Sequence, residues 1–536
     1  MNKLTRLFIY FFLVALAAGC STSKPSPTQT VQQTIRYNIG AEPATLDPAL
    51  STGVTEQTLE NALLEGLVRM DRDGKPSPGV AKSWEVSEDG RTYTFNLRES
   101  TWTDGEPLTA EDFVYSWQRV LDPETASPYA YQLYYLVNGE AYNAGKVKDP
   151  AEVGVRAEGK DKLIVTLTEP VPYFLSLTAF PTLFPVNQKA VAQDGAGWAQ
   201  NPATYTGNGP FKLTAWEHNK QFILEKNERY WDQESVKLQS LVVTLVDDSN
   251  TELAMFESGQ IDIAETPPYR EIERLAKSNL LKLSPDLSNE FYMFNTNLPP
   301  LDDVRVRQAL SLAIDREALV SKVTMGGEKA AYAFVPPGVN GPAPGREYRS
   351  LDEKLIVGFN PDEARKLLAE AGFPAGRGFP RVKLLLSNNQ NHRPVAEAIT
   401  GMWKETLGIE AEIIEQEYKV YFGTLDERDY QIARVGWNAD YNDPMTFLDL
   451  WETDSPNNQA DWSSQEYDRL LKEAKSARDP GARMDALLRA KRILMDEQPV
   501  MPVYYYTNPY LEKDNIQGVI HPSFAFFADF KWAFVN

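Results

Sequence analysis

The alternation of apolar and polar residues predicts strands and helices that follow one another along the chain. Residues 92–97 alternate in the way of a strand with one buried face, and continuous apolar runs at 163–167 and 241–245 predict fully buried strands. Thr109 and Asp112 have the spacing of an approximate capping box, so a helix is predicted to begin at Thr109. The same reading gives a helix over 251–258 and a strand over 261–263.

A second region of alternating elements begins near Phe291. Asn360 followed by Pro361 is typical of a helix start, because proline is tolerated in the first turn. The other elements predicted here are helical patterns over 303–322, 395–407 and 467–495, and strands over 381–386, 409–414, 431–435 and 500–506. The chain is therefore predicted to be an α/β protein. No repeat of fixed period is present in the sequence, which disfavours solenoids and propellers.

The first twenty residues have the pattern of a lipoprotein signal peptide. Lys3 and Arg6 precede an apolar run over 7–18 that is shorter than the roughly 20 residues needed to cross a bilayer. Cys20 is the only cysteine of the chain and follows small residues, in a stretch that resembles a lipobox. We therefore expect a signal peptide over 1–19 and lipidation of Cys20. The alternative is an ordinary cleaved signal peptide with an incidental cysteine.

Composition limits the partners of the remaining chain. Residues 20–33 are poor in bulky apolar side chains and are predicted to form a flexible tether. The roughly 500 residues that follow exceed what one core usually organises, so two or three domains are expected. A formal net charge of −21 argues against nucleic-acid binding, which needs clustered Lys and Arg.

The sequence lacks the motifs of the common catalytic and cofactor sites. It contains no GxSxG, HExxH, CxxC or Walker-type stretch, and its three histidines, His218, His392 and His521, are far apart. We therefore expect no enzyme activity, no bound metal and no cofactor. A surface hydrolase is the rival from another functional class, and the missing nucleophile motifs argue against it.

Several phrases together resemble the oligopeptide- and dipeptide-binding proteins of bacterial ABC importers, known as extracellular solute-binding protein family 5. The resemblance is closest to the oligopeptide-binding branch and extends from about Ile35 almost to the C-terminus. The matching stretches are residues 42–48 (EPATLDP), 78–84 (PGVAKSW), 102–105 (WTDG) running into 110–117 (AEDFVYSW), 126–130 (ASPYA), 303–310 (DVRVRQAL) and 434–441 (RVGWNADY).

The resemblance implies a fold and a domain division. The fold is a two-lobed, hinge-bending clamp of the periplasmic-binding-protein type, with an extra small α/β domain. Lobe I is expected to combine residues 32–64, 189–290 and 508–536. The extra domain is expected over 65–188 and lobe II over 291–507.

The resemblance also implies that short peptides are bound between the lobes and delivered to the membrane permease of an ABC importer. The protein is then expected to act outside the cytoplasm as a lipid-anchored monomer. Relatives of this architecture accept nickel complexes, haem, opines or sugars, and a pheromone receptor or a folding helper would share the same residues. Scarce histidine disfavours metal, and the pairing of Asp440 with Arg434 favours a zwitterion.

The ends of the peptide are assigned by this resemblance. Asp440 matches the aspartate that holds the α-ammonium, although a turn cap is the alternative for a residue beside Tyr-Asn-Asp-Pro. Arg434 matches an arginine near the ligand's carboxyl end, with a buried structural ion pair as the alternative. His392 aligns near the same end and is expected to make release sensitive to pH. A further family arginine is replaced by Leu425, with Arg428 nearby but out of register.

The remaining candidate site residues would contact the body of the peptide. Gly436 would let the peptide backbone approach closely. Trp437 and Tyr418 match positions that line side-chain pockets, with an ordinary place in the core as the alternative. Tyr129 and Asn295 would add polar contacts.

Overall fold

The largest sheet of the described chain has eleven strands. The structure is a computed structural model that describes residues 32–536, except 73, 344–345, 352–357, 390, 478 and 525. The strands are β1 (Thr34–Asn38), β2 (Val68–Met70), β3 (Pro76–Pro78), β4 (Ala81–Val86), β5 (Thr92–Leu97), β6 (Ser100–Thr101), β7 (Pro107–Leu108), β8 (Val155–Ala157), β9 (Lys162–Thr166), β10 (Phe211–Glu217), β11 (Gln221–Lys226), β12 (Ser240–Thr244), β13 (Ile263–Ala264), β14 (Leu281–Phe294), β15 (Lys329–Ala330), β16 (Val382–Ser387), β17 (Ala411–Gln416), β18 (Ile432–Asn438), β19 (Val500–Glu512), β20 (Ile516–Gln517) and β21 (Phe534–Val535).

Helices connect and cover these strands. The α-helices are α1 (Val54–Leu63), α2 (Ala110–Leu121), α3 (Gly139–Asn143), α4 (Phe174–Leu177), α5 (Gln188–Asp194), α6 (Ser249–Glu257), α7 (Ile272–Lys277), α8 (Val304–Leu312), α9 (Arg316–Leu319), α10 (Pro361–Glu370), α11 (His392–Leu407), α12 (Tyr418–Asp426), α13 (Met445–Leu448), α14 (Gln465–Ser476) and α15 (Pro480–Glu497). Single 3-10 turns lie at Ala130–Leu133, Pro150–Glu152, Pro181–Leu183, Gly195–Ala199, Tyr269–Glu271, Tyr348–Leu351, Pro374–Gly376 and Asp449–Trp451, and a π turn at Val320–Thr324.

Two long antiparallel strands join the halves of the main sheet. The strand order is β10-β11-β12-β1-β13-β19-β14-β18-β16-β17, and β15 pairs with β19. β14 and β19 pair from Leu281 opposite Leu511 to Met293 opposite Val500, with irregularities near Asn289. β14 and β19 therefore each reach into both halves of the sheet.

A separate small sheet, in the order β4-β5-β9-β8, lies within the segment predicted as an extra domain. Helix α2 contacts β8 and β9 of this sheet. The predicted capping box is confirmed, because the backbone N–H of Thr109 donates to the Asp112 carboxylate at 2.7 Å. A continuous buried cluster combines side chains from residues 64–184 with side chains from residues 421–494.

Other buried clusters fill the two halves of the main sheet. In one half, Ile35 and Tyr37 of β1 pack with residues of β10–β12. In the other half, Tyr292 of β14 packs with α8 and with Trp403 of α11. The domain boundaries stay a prediction, because residues from Gln33 to Asn536 form one compact unit. The predicted boundary near Phe291 falls inside β14.

Two predicted helices are each divided in the structure. The pattern over 303–322 forms α8 and α9, because the Asp315 carboxylate accepts the Ala318 N–H at 3.0 Å and starts a new helix. The pattern over 467–495 forms α14 and α15, because Asp479 and Pro480 provide a new N-cap and first turn. Across the described part of the chain, no helix is long and apolar enough to cross a membrane.

Candidate functional site

Strand β18 has a free edge over its last residues. It pairs with β14 along its whole length, from Ile432 opposite Phe294 to Asn438 opposite Ser288. On its other side β16 pairs with Ile432 and Ala433 alone, and then continues against β17. Within the described residues no strand covers this side of 434–438. The Arg434 carbonyl already accepts a hydrogen bond from the Tyr421 hydroxyl, so the backbone groups beyond Arg434 are the ones available to an extended chain.

Asp440 follows this free edge and is a buried carboxylate. It is 8 % exposed, and the Tyr131 hydroxyl lies 3.5 Å from its Oδ2 atom. Burial raises the pKa of Asp440 to about 7, and the polar side chains of Gln132 and Tyr131 limit the rise. No lysine or arginine among the described residues forms an ion pair with Asp440. The carboxylate is thus placed to receive a cation from outside the chain.

The turn after Asp440 is capped by a different residue. The backbone N–H of Met445 donates to Asp443 Oδ1 at 2.9 Å, and the Asp443 carboxylate also pairs with Arg483. Asp440 takes part through its backbone, whose N–H donates to the Thr446 hydroxyl at 3.1 Å. Over the described residues, the Asp440 carboxylate accepts no backbone N–H, so its side chain is not the turn cap that was the alternative.

Two buried polar atoms beside the free edge have no protein partner within the described structure. They are the Nε1 atom of Trp437 and the Oδ1 atom of Asn289, whose residues lie opposite each other in the β14–β18 ladder. The carboxamide of Gln132, next to Tyr131, interacts with the Asp440 carboxylate and lowers its pKa. Because buried polar groups usually have partners, the atoms of Trp437 and Asn289 indicate a place where a polar ligand is received.

At the other end of the free edge, Arg434 forms an ion pair with a buried glutamate. Its Nε atom donates to Glu290 Oε1 at 2.8 Å, and its Nη2 atom contacts Glu290 Oε2 and the Tyr506 hydroxyl. The Arg434 side chain is 13 % exposed and that of Glu290 is 0 % exposed. The neighbouring carboxylate holds the pKa of Arg434 above its usual value despite burial.

Gly436 lies between these groups on the same face of β18. An added Cβ would meet Arg434 Nη2 and the Tyr506 hydroxyl at 3.4 Å each, which is an ordinary contact. The protein itself therefore does not require glycine here. Replacing Gly436 with alanine is expected to leave the melting temperature within about 2 °C of wild type and to lower peptide affinity. Calorimetry with one peptide on both proteins checks this, and an unchanged affinity contradicts the proposed close approach at Gly436.

His392 lies near Arg434 at the start of α11. Its Nδ1 atom is 3.1 Å from the Ser387 hydroxyl. Burial and the positive charge of Arg434 hold the pKa of His392 well below its ordinary value. The imidazole is therefore neutral at pH 7. The expected pH-sensitive release through His392 is not supported in this conformation.

The other predicted residues occupy varied places. The ring of Tyr129 packs 5.6 Å from the ring of Tyr131 and 5.3 Å from that of Phe180. The carboxamide of Asn295 donates to the backbone oxygen of Arg428 at 3.0 Å, at the end of β14 away from Asp440. Tyr418 begins α12, but its side chain lies outside the described residues, as does Cys20. The ligand roles of these residues stay predictions.

Sequence reasoning missed Gln132, Tyr131, Glu290 and Tyr506. Tyr131 and Gln132 follow the 126–130 phrase directly, so their position in the chain was a usable signal. Glu290 was also detectable, because it is the single charged residue in the stretch 287–294. Tyr506 gave no distinctive signal, since it ends a run of three tyrosines.

An aromatic stack and a buried ion pair fix the loop that carries Asp440. The rings of Tyr173 and Tyr441 stack at 4.3 Å, and the Arg483 guanidinium lies 5.4 Å from the centre of the Tyr173 ring. Arg483 donates twice to the Asp443 carboxylate, at 2.8 and 2.7 Å. These contacts join the loop to α15 and to Tyr173, which lies in the segment predicted as an extra domain.

This arrangement matches a known family of binding proteins. Residues 75–459 match the model of the bacterial extracellular solute-binding proteins, family 5. The chain belongs to this family and has its fold, the two-lobed clamp of the periplasmic-binding-protein type. Members of the family are binding proteins.

Individual relatives are similar over nearly the whole chain. The oligopeptide-binding protein OppA of Bacillus subtilis is 37 % identical over 533 residues, which is 97 % of each chain. The structure of Haemophilus influenzae OppA in complex with RPPGFSPFR has a TM-score of 0.85 and 33 % identity, covering 94 % of this chain and 99 % of that one. The pheromone receptor PrgZ, solved to describe its peptide binding, has a TM-score of 0.85 and 29 % identity, covering 94 % and 100 %.

Proposed function

We propose that this protein binds short peptides with a free amino terminus and delivers them to an ABC importer. The observation that carries the proposal is the buried Asp440 carboxylate, which has no cationic partner among the described residues. An ionised carboxylate that is buried without a cationic partner destabilises the protein until a ligand supplies the opposite charge. A peptide α-ammonium supplies that charge together with N–H donors.

The free edge of β18 supports the same ligand class. Backbone pairing beyond Arg434, along residues 435–438, would hold any extended peptide independently of its side chains. The Nε1 atom of Trp437, which has no partner within the described structure, would add a polar contact. Lobe closure about β14 and β19 would then exclude water and complete the site.

The proposal also includes a lipid anchor at Cys20, which lies outside the described residues, and a permease as the transport partner. The signal-peptide pattern and Cys20 favour a lipid anchor that keeps the protein outside the cytoplasm. Relatives named as oligopeptide-binding and periplasmic favour an importer permease as the protein partner. Similarity to PrgZ favours a peptide pheromone as a second ligand, which would use the same ammonium and backbone contacts.

Native mass spectrometry of the purified protein tests the proposed ligand class. The expected result is a set of co-purified masses that fragment as peptides with free amino ends. Calorimetry with a tripeptide and its N-acetyl form then tests the contact at Asp440. Equal affinity for the two forms would contradict the proposed capture of the ammonium.

Peptide affinity is expected to be greatest between about pH 7 and pH 8. The free site holds Asp440 with a pKa of about 7, and a bound ammonium lowers that pKa, so binding below pH 7 must release a proton. Affinity should therefore fall by up to about tenfold for each pH unit below 7. Above pH 8 it should fall because the peptide amine loses its proton. Calorimetry across this range checks both limbs, and a flat acidic limb argues against Asp440.

A further inference from the structure

The two ends of the candidate cleft differ in whether their charged side chains already form an ion pair within the protein. At the amino end, Asp440 has no ion-pair partner among the described residues. Near Arg434 the situation is reversed, because its guanidinium is already paired with Glu290 and bonded to Tyr506. A ligand therefore meets an available negative charge at one end and a neutralised positive charge at the other.

Glu290 cannot easily release Arg434 to a ligand. The Glu290 side chain is 0 % exposed, and Arg434 and the Tyr506 hydroxyl are the partners seen for its carboxylate. If Arg434 turned toward a peptide carboxylate, Glu290 would be left buried and charged, which is strongly unfavourable. A carboxylate that arrived beside the intact pair would also meet the charge of Glu290.

Among the side chains that the structure describes, the other candidates for this end do not supply a replacement charge. His392 is neutral, because burial and Arg434 hold its pKa well below the ordinary value. Arg428 lies on the surface, where its Nη1 atom is 3.4 Å from Asp461. Position 425, where the family resemblance predicts another arginine, is a leucine with no exposed surface.

Building on the proposed peptide binding, we infer that this site recognises the amino end of its ligand through a charge. The carboxyl end of the ligand is bound without a charged partner. The substrate class is then peptides with a free amino terminus and any carboxyl end. Amidated peptides belong to this class, because a neutral amide end needs no cationic partner. Affinity along the chain comes from backbone pairing at the free edge of β18.

Matched peptides test the inference on the wild-type protein. A tetrapeptide is compared by calorimetry with its N-acetyl form and with its C-terminal amide. We expect the amide to bind within about fivefold of the free acid, a difference of about 1 kcal/mol. A larger loss on amidation overturns the inference but leaves peptide binding intact. Absence of binding by the free tetrapeptide and by a longer free peptide overturns the proposed function itself and, with it, this inference.

A substitution at Glu290 tests the cause. Glu290→Gln keeps the shape and the contact with Tyr506 but frees the charge of Arg434, so the variant should favour the acid over the amide by about tenfold. Glu328→Gln is the matched control. The Glu328 carboxylate is buried and accepts hydrogen bonds from the Thr324 hydroxyl and the Gly326 N–H rather than from an arginine. The ratio of affinities for the free acid and the amide should therefore stay at its wild-type value.

The outcome of the substitution is decisive in either direction once folding is verified by a melting curve. If Glu290→Gln shows no new preference for the free acid, the neutralisation of Arg434 is not the cause and the inference fails. If Glu290→Gln does not fold, Glu290→Asp serves instead. Its shorter side chain should loosen the ion pair and give a smaller preference for the acid, and an unchanged ratio contradicts the inference.

Discussion

Replacing Asp440 with asparagine is expected to stabilise the ligand-free protein at pH 8 and to weaken binding of a free-amino tripeptide by about 100-fold, or about 3 kcal/mol. Affinity is lost because asparagine keeps the shape of the side chain but removes the charge that pairs with the ammonium. Calorimetry measures the affinity, and thermal unfolding at two pH values measures the stability.

The gain in stability follows from the raised pKa of Asp440. Burial moves this pKa from 3.8 to about 7, so the folded protein must keep an ionised carboxylate in a poor environment above pH 7. The favourable contribution of the protonated form is present below pH 3.8 and is lost as the pH rises through 7. Asparagine avoids this cost, which reaches up to about 4 kcal/mol at pH 8.

Two controls separate this explanation from a structural role. The difference in stability between Asp440→Asn and wild type should be largest at pH 8 and should shrink toward pH 5. Asp443→Asn, in the same loop, should instead lower stability, because Asp443 caps α13 and pairs with Arg483. If Asp440→Asn is destabilised like Asp443→Asn, then Asp440 serves the loop rather than a ligand.

Local patterns in the sequence predicted most of the fold. The strand over 92–97 and the helix that begins with Pro361 depend on neighbouring residues, and both are confirmed as β5 and α10. The Asn360 side chain accepts the Glu363 N–H as expected of an N-cap. Hydrophobic periodicity alone did not locate the division of the helical patterns, because apolar spacing continues across a new cap.

The candidate site was less predictable, because its electrostatics depend on contacts between distant residues. The sequence predicts Arg434 as a site residue, but its partner Glu290 belongs to a strand far away in the sequence. The neutral state of His392 depends on burial and on Arg434, and neither is visible from composition. The phrase around Asp440 predicts it as a site residue, whereas its contact with Tyr131 depends on the packing of two separate segments.

Replacing Arg483 with methionine is expected to lower the free energy of unfolding by about 3 to 5 kcal/mol. Arg483 and Asp443 are both buried, and methionine leaves the Asp443 carboxylate charged without its partner. Methionine also removes the cation from the face of Tyr173, which stacks on Tyr441 beside Asp440. Urea unfolding monitored by tryptophan fluorescence measures the loss.

A double variant tests whether the loss comes from the unpaired charge. Adding Asp443→Asn to Arg483→Met removes the orphaned carboxylate while the asparagine still accepts the Met445 N–H, so most of the lost stability should return. The loop that holds Asp440 would then be folded but no longer tied to α15, and peptide affinity should recover less fully than stability. If the double variant is as unstable as the sum of the single variants, the pair does not interact and the loop is held by packing alone.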